Sequence, residues 1–71
     1  MSKRSIYVIG ENIRKLRMEK FAESQEKFSE RIKTTSRTVY NLECGSSVPT
    51  VKTLIKIADV AEVTLDSLVT K

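Results

Sequence analysis

QEKFSERIKTTSRTVYNLECG, residues 25–45, holds two short apolar stripes separated by a polar break. Phe28 and Ile32 stand at i and i+4, and Val39 and Leu42 at i and i+3, so each pair lies on one face of a helix. Ser24 precedes the first stripe and Thr35 the second. Their hydroxyls can accept from otherwise unpaired backbone N–H groups, which marks both residues as N-caps. Lys33-Thr34 forms the break between them. Gly45 follows as a stop, since glycine takes the left-handed backbone without a steric penalty. Ser29, small and central, would let another helix come close.

Working outward, Ile9, Ile13, Leu16 and the stem of Lys20 predict a first amphipathic helix over residues 9–20, with Arg14, Lys15, Met18 and Glu19 outside. After Gly45, Ser46-Ser47-Val48-Pro49 reads as a loop, because the residue before proline is pushed out of the helical region. Thr50 caps a fourth helix with Val51, Leu54, Ile57, Ala58 and Ala61 inward. Thr64 caps a short fifth with Leu65 and Leu68 inward. No segment alternates as a strand would.

A helix of about eight residues is not stable alone. Two of them set at a steep angle can share one apolar corner, which is helix-turn-helix geometry. The second then keeps a face standing off the body, here Ser36, Arg37, Tyr40, Asn41 and Cys44. Arginine can donate two parallel bonds to guanine, and asparagine can pair bidentately with adenine. At i and i+4, Arg37 and Asn41 share a face. A solvated structural helix more often carries Glu and Lys pairs there.

Composition agrees and excludes other classes. Seventy-one residues form one small domain, which reads as cytosolic. No apolar run nears the roughly 20 residues of a membrane span, and no signal-peptide core follows the basic N-terminus. One cysteine forms no internal disulfide. Histidine is absent, so no metal site, cofactor or small-molecule ligand is expected, and an enzyme finds no nucleophile–base pair. The net charge of +4 is uneven. Residues 1–20 carry six Lys/Arg against two Glu, and residues 42–71 carry three against four acids. A basic front suggests a polyanion, although charge alone is equally consistent with a solvated surface.

Four blocks in order, IGENIRKLRMEK (9–20), SQEKFSERI (24–32), TSRTVYNLECG (35–45) and VPTVKTLIKIADVAEVTLDSL (48–68), resemble the Cro/phage-repressor (Xre-type) helix-turn-helix family of bacterial transcription regulators. The resemblance implies an all-α, compact five-helix, lambda-repressor-like DNA-binding domain over residues 9–71, preceded by a basic arm over 1–8. It implies a regulator, by default a repressor, that binds a pseudo-palindromic operator in double-stranded DNA as a homodimer. By position, Gln25 matches a phosphate contact. Thr35, Ser36, Arg37, Thr38 and Asn41 match positions reaching bases or flanking backbone. Tyr40 matches a variable outward position, readable as a DNA contact or as a lid on the helix edge. Ser46 can offer a hydroxyl and an N–H to phosphate. Arg17 and Glu43 match a pair joining the first helix to the third.

The chain departs from the family in three places. Lys33 stands where glycine is usual, and there a left-handed backbone would cost about 1 kcal/mol. Phe21-Ala22-Glu23 makes the first connection a residue longer, which would tilt the second helix. Ser46-Ser47 replaces the usual basic loop, leaving Lys33, Arg14, Lys3 and Arg4 to supply charge. The Ser2-Lys3-Arg4-Ser5 arm is more simply a frayed end than a minor-groove contact, and Cys44 more simply an inert thiol than a switch. The dimer surface is expected over Thr64–Lys71, with Val69 as an apolar candidate and help from the fourth helix. The alternative is a protein-interaction module of the same fold, such as an antitoxin or adaptor. The two residues after Val69 give it no wrapping tail.

Overall fold

The computed structural model describes residues 3–70, with side chains from Ile6 onward. It is all-helical, and its five helices run α1 (Lys3–Lys15), α2 (Gln25–Arg31), α3 (Ser36–Cys44), α4 (Val51–Ala61) and α5 (Leu65–Val69). α1 begins at Lys3 rather than Ile9, so residues 3–8 are helical and not a separate arm. Ile6, Ile9 and Ile13 are spaced i, i+3 and i+7, which carries the apolar stripe one turn upstream. The side chains of the proposed arm contact, Ser2 to Ser5, lie outside the described ones.

The four predicted caps close as read. The side-chain oxygens of Ser24, Thr35, Thr50 and Thr64 accept from the N–H groups of Lys27, Thr38, Thr53 and Ser67. Each satisfies one donor that a helix start leaves orphaned.

One continuous core forms from Ile9 and Ile13 of α1, Phe28 and Ile32, Val39 and Leu42 of α3, Leu54, Ile57 and Ala58 of α4, and Leu68 of α5. Ser29 is buried, and its hydroxyl donates to the Glu26 carbonyl at 2.6 Å, so the small side chain leaves no unpaired polar atom. Gly10 lets α1 lie against the end of α3: a Cβ there would meet the carbonyl oxygens of Leu42 and Glu43 at 2.5 and 2.7 Å. Asn12 ties α5 to α1, its Nδ2 donating to the carbonyls of Leu68 and Thr70, each at 2.8 Å. Lys20, expected to cover the core with its stem, is exposed and donates its ammonium to the Ala61 carbonyl at the end of α4.

Two inward assignments are corrected. Val51 is 67% exposed and Leu65 41%. The buried stripe of α4 centres on Leu54, Ile57, Ala58 and Ala61, and Val51 sits at its solvent edge. In α5 Leu68 alone is buried.

The longer first connection is absorbed in α1 itself. The helix widens to a π-helical segment over Leu16–Phe21 and ends on left-handed Ala22 (φ 53°). The Ala22 and Glu23 amides both donate to the Arg17 carbonyl. A π turn takes one more residue than an α turn for nearly the same advance. Phe21 then stacks tilted on Phe28 at 5.7 Å between centroids, and Arg31 lies 4.5 Å over Phe21 while holding Glu23 through two bonds of 2.9 and 2.8 Å.

Candidate nucleic-acid interface

α2 and α3 meet in the predicted corner, with Phe28, Ile32 and Val39 essentially sealed from solvent. The break between them is a left-handed stop. Lys33 has φ 56°, its N–H donates to the Glu30 carbonyl, and the Thr34 N–H reaches back to the Ser29 carbonyl at 2.8 Å. This is a Schellman closure with lysine in the place glycine prefers. Lys33 is exposed, so the strained position leaves its charge at the surface.

Along α3, Val39 and Leu42 point inward and Ser36, Arg37, Tyr40 and Cys44 outward, with Asn41 half-buried beside them. Arg37 has no hydrogen-bond partner among the described residues and stands in solvent. Tyr40 is 56% exposed. Thr35 and Thr38 are engaged with each other: besides the cap, their hydroxyls lie 2.9 Å apart. That fixes the start of α3 and leaves the Ser36 side chain outermost.

The exposed face carries no acid, because Glu43 is turned aside. Its carboxylate accepts from Arg17 Nε at 2.7 Å and Arg17 Nη2 at 3.0 Å, and only 6% of its side chain is exposed. Arg17 Nη1 donates to the Glu23 carbonyl at 2.8 Å, so one guanidinium joins α1, the first connection and α3. The hydrogen-bonded Glu43 carboxylate raises the Arg17 pKa above its ordinary value, so the guanidinium keeps its charge. A phosphate approaching α3 therefore meets Arg37 and hydroxyls rather than a bare carboxylate.

Gln25, read as a phosphate contact, opens α2 and donates Nε2 to Glu43 Oε1 at 3.2 Å. Its second Nε2 hydrogen has no partner among the described residues. Between α1, α2 and α3 lies a cleft of about 290 Å³ lined by Arg14, Arg17, Gln25, Tyr40, Glu43 and Cys44. Tyr40 and exposed Arg14 form parts of its wall, which puts the tyrosine at the edge of the helix.

The far end of α3 carries a feature that spacing alone does not reveal. Gly45 (φ 77°) ends the helix, and the Ser46 N–H returns to the Asn41 carbonyl at 3.0 Å. This brings Ser46 Oγ to 3.4 Å from Asn41 Oδ1 and 2.9 Å from Cys44 Sγ. The available signal was the glycine stop, which folds the residue after it back over the last turn. Gly45 is also where the Tyr7 ring packs: a Cβ would meet it at 2.6 Å.

Gln25, Thr35, Ser36, Arg37, Thr38, Tyr40, Asn41 and Ser46 thus fall on one continuous part of the fold, from the start of α2 along α3 to the following loop. Among the described residues, no helix is long and apolar enough to cross a membrane, and no cluster of His, Cys, Asp and Glu could hold a metal ion. No curated protein and no solved structure matches the chain. A family model described as helix-turn-helix matches residues 13–68, most of the chain and all of the α2–α3 unit. With that match, the buried corner and the acid-free outer face of α3, the chain belongs to the Cro/phage-repressor (Xre-type) helix-turn-helix family of DNA-binding regulators.

Proposed function

We propose that this regulator reads a pseudo-palindromic operator as a homodimer and represses by occupying it. The observation that carries the reading is the outer face of α3, where exposed Arg37 and half-buried Asn41 stand one turn apart with Glu43 drawn away by Arg17. α3 enters the major groove, Arg37 donating to guanine and Asn41 meeting a neighbouring base. Thr35, Ser36, Thr38 and Tyr40 reach bases or flanking backbone. Gln25 holds a phosphate on one side, and Ser46, whose N–H and hydroxyl both turn back to Asn41, bears on the bases through that residue.

One α3 reads only about four or five base pairs, so two copies about 34 Å apart supply the specificity. The dimer surface runs along α5 and the chain beyond it, Thr64 to Lys71. Leu65 and Val69, at i and i+4 on α5, are 41% and 38% exposed and support it, as do the exposed Val51 and Ile55 of α4. Lys71 lies outside the described residues. The protein works in the cytoplasm, where its DNA is.

The test is selection of bound sequences from a random duplex pool at moderate salt, with an Arg37→Ala, Asn41→Ala double variant as control. The expected result is a two-fold symmetric motif that the control does not enrich. Binding should also weaken steeply with salt, as counterions are released from the phosphates. The same apolar residues of α4 and α5 would serve a separately encoded protein partner. Weak, salt-sensitive binding to any duplex, with no motif, would favour that adaptor reading instead.

A further inference from the structure

We infer that Ser46 is a specificity-determining residue: it orients the Asn41 amide so that Nδ2 alone faces the base, which makes Asn41 a reader of guanine rather than adenine. This rests on the DNA-reading role proposed for α3 and narrows it.

With the Asn41 amide oxygen on the Ser46 side, as the structure has it, hydrogen counting assigns the donors. Ser46 Oγ has one hydrogen and three neighbours: Asn41 Oδ1 at 3.4 Å, the Asn41 carbonyl at 3.5 Å and Cys44 Sγ at 2.9 Å. The Asn41 carbonyl already accepts from the backbone amides of Gly45 and Ser46. Oδ1 has no other donor among the described residues. The Cys44 thiol can donate to Ser46 Oγ or to the Asn41 carbonyl, 3.7 Å away, so it does not need the Ser46 hydrogen, and donation of that hydrogen to Asn41 Oδ1 is the arrangement that gives the amide oxygen a partner.

The position of Ser46 does not depend on the long Oγ–Oδ1 bond. The left-handed stop at Gly45 returns the Ser46 backbone to the Asn41 carbonyl at 3.0 Å, and the Tyr7 ring against Gly45 leaves that turn little room to open. Ser46 Oγ is thus fixed at the helix's own end as the one donor beside Oδ1, and Nδ2 has no acceptor among the described residues.

Bidentate pairing with adenine needs both amide atoms against one base edge, the oxygen accepting from N6 and the nitrogen donating to N7. An amide whose oxygen is held by Ser46 presents two N–H hydrogens. Guanine offers two adjacent acceptors for them, O6 and N7, whereas adenine sets its own amine beside a single acceptor.

The experiment selects sites from a random duplex pool with the wild type, Asn41→Ala, Ser46→Ala and Ser46→Thr, each checked for an unchanged unfolding midpoint. The position where Asn41→Ala loses its preference is the one Asn41 reads. There the wild type and Ser46→Thr, which keeps the hydroxyl, should select guanine. Ser46→Ala should move the guanine-to-adenine ratio towards adenine by about 3- to 10-fold, the span of one neutral hydrogen bond. Adenine already preferred by the wild type would overturn the inference. So would a Ser46→Ala protein that binds more weakly with its base preference unchanged, since a phosphate contact alone would do that. A wild type that enriches no motif would overturn the DNA-reading role itself, a failure visible before any Ser46 variant is compared.

Discussion

α3 and α4 share a construction. Each opens on a threonine whose hydroxyl accepts from the amide three residues on, at 3.2 Å, and bonds to a second threonine there, Thr38 or Thr53. Each closes on a left-handed residue, Gly45 or Glu62. Their outer faces differ. α3 shows Ser36, Arg37, Tyr40 and Cys44, with its acid drawn back onto Arg17, while α4 shows Val51, Lys52, Ile55 and Asp59. A bare aspartate repels phosphate, and two exposed aliphatic side chains find little on a phosphate backbone. The shared frame is therefore about folding, and the function lies in what each helix leaves uncovered.

The buried faces should matter alike. Ile57 is fully buried, and Ile57→Ala is expected to lower stability by about 3 kcal/mol through lost burial and a cavity. Val39→Ala, a smaller truncation at an equally sealed site, should lower it by about 2 kcal/mol. For one small domain the first loss is a large part of the total. Urea unfolding followed by circular dichroism checks both. A loss under about 1 kcal/mol for Ile57→Ala would mean that α4 is not seated in the core as described.

The outer faces should not matter alike. Arg37→Ala is expected to weaken binding to the selected operator by about 1–3 kcal/mol and relax one base position. Lys52→Ala, which removes a comparable exposed cation from α4, should change it by a few tenths of a kcal/mol. Titration of both variants against the operator and a scrambled duplex decides. Equal losses would erase the distinction between the helices, and an Arg37→Ala loss uniform across sequences would make that arginine a phosphate contact.

A smaller effect separates the two helix stops. Gly45 is left-handed without strain and is packed by Tyr7, whereas Glu62 adopts φ 56° with a side chain. Glu62→Gly should raise stability by about 0.5–1 kcal/mol, relief of the left-handed strain exceeding the added freedom of the unfolded chain. Destabilisation in urea would show that the Glu62 side chain contributes more than its backbone costs.

These differences track what local sequence can carry. The four caps, the Gly45 stop and the buried pairs of α2 and α3 were legible because capping and periodicity involve residues within a turn of each other. The Arg17–Glu43 pair joins residues far apart in the chain, and only resemblance suggested it. A left-handed Lys33 was one of two readings that the glycine usual there left open, the other being a different turn, and the backbone takes the first. Left-handed Ala22 and Glu62 were not anticipated, since neither residue type signals that conformation and the tertiary fold imposes it. The π turn was visible only as an extra residue without a place. Val51 and Leu65 were read inward because an amphipathic pattern cannot distinguish the edge of a stripe from its centre. In the candidate site, the residue types on α3 were legible, but the Ser46–Asn41–Cys44 arrangement was not, because it depends on how the chain turns after the helix stops.

The π turn also supports the smallest expected effect, at the join between α1 and α2. The bidentate Arg31 hydrogen bonds hold the Glu23 carboxyl below its ordinary 4.5, and the same pairing raises Arg31. A carboxyl depressed in the folded state adds stability above its unfolded pKa, and that share fades as pH falls from about 4.5 through the folded value. Arg31 is exposed, so the share is modest. Glu23→Gln should therefore flatten the acid limb of a stability–pH curve while leaving its shape near neutrality unchanged. The wild-type curve should also lose part of that limb in high salt, as an ion pair at the surface must. An acid limb of the same slope in wild type and Glu23→Gln would show that the wide turn is held by Phe21 on Phe28 alone, with the charge pair resting on it.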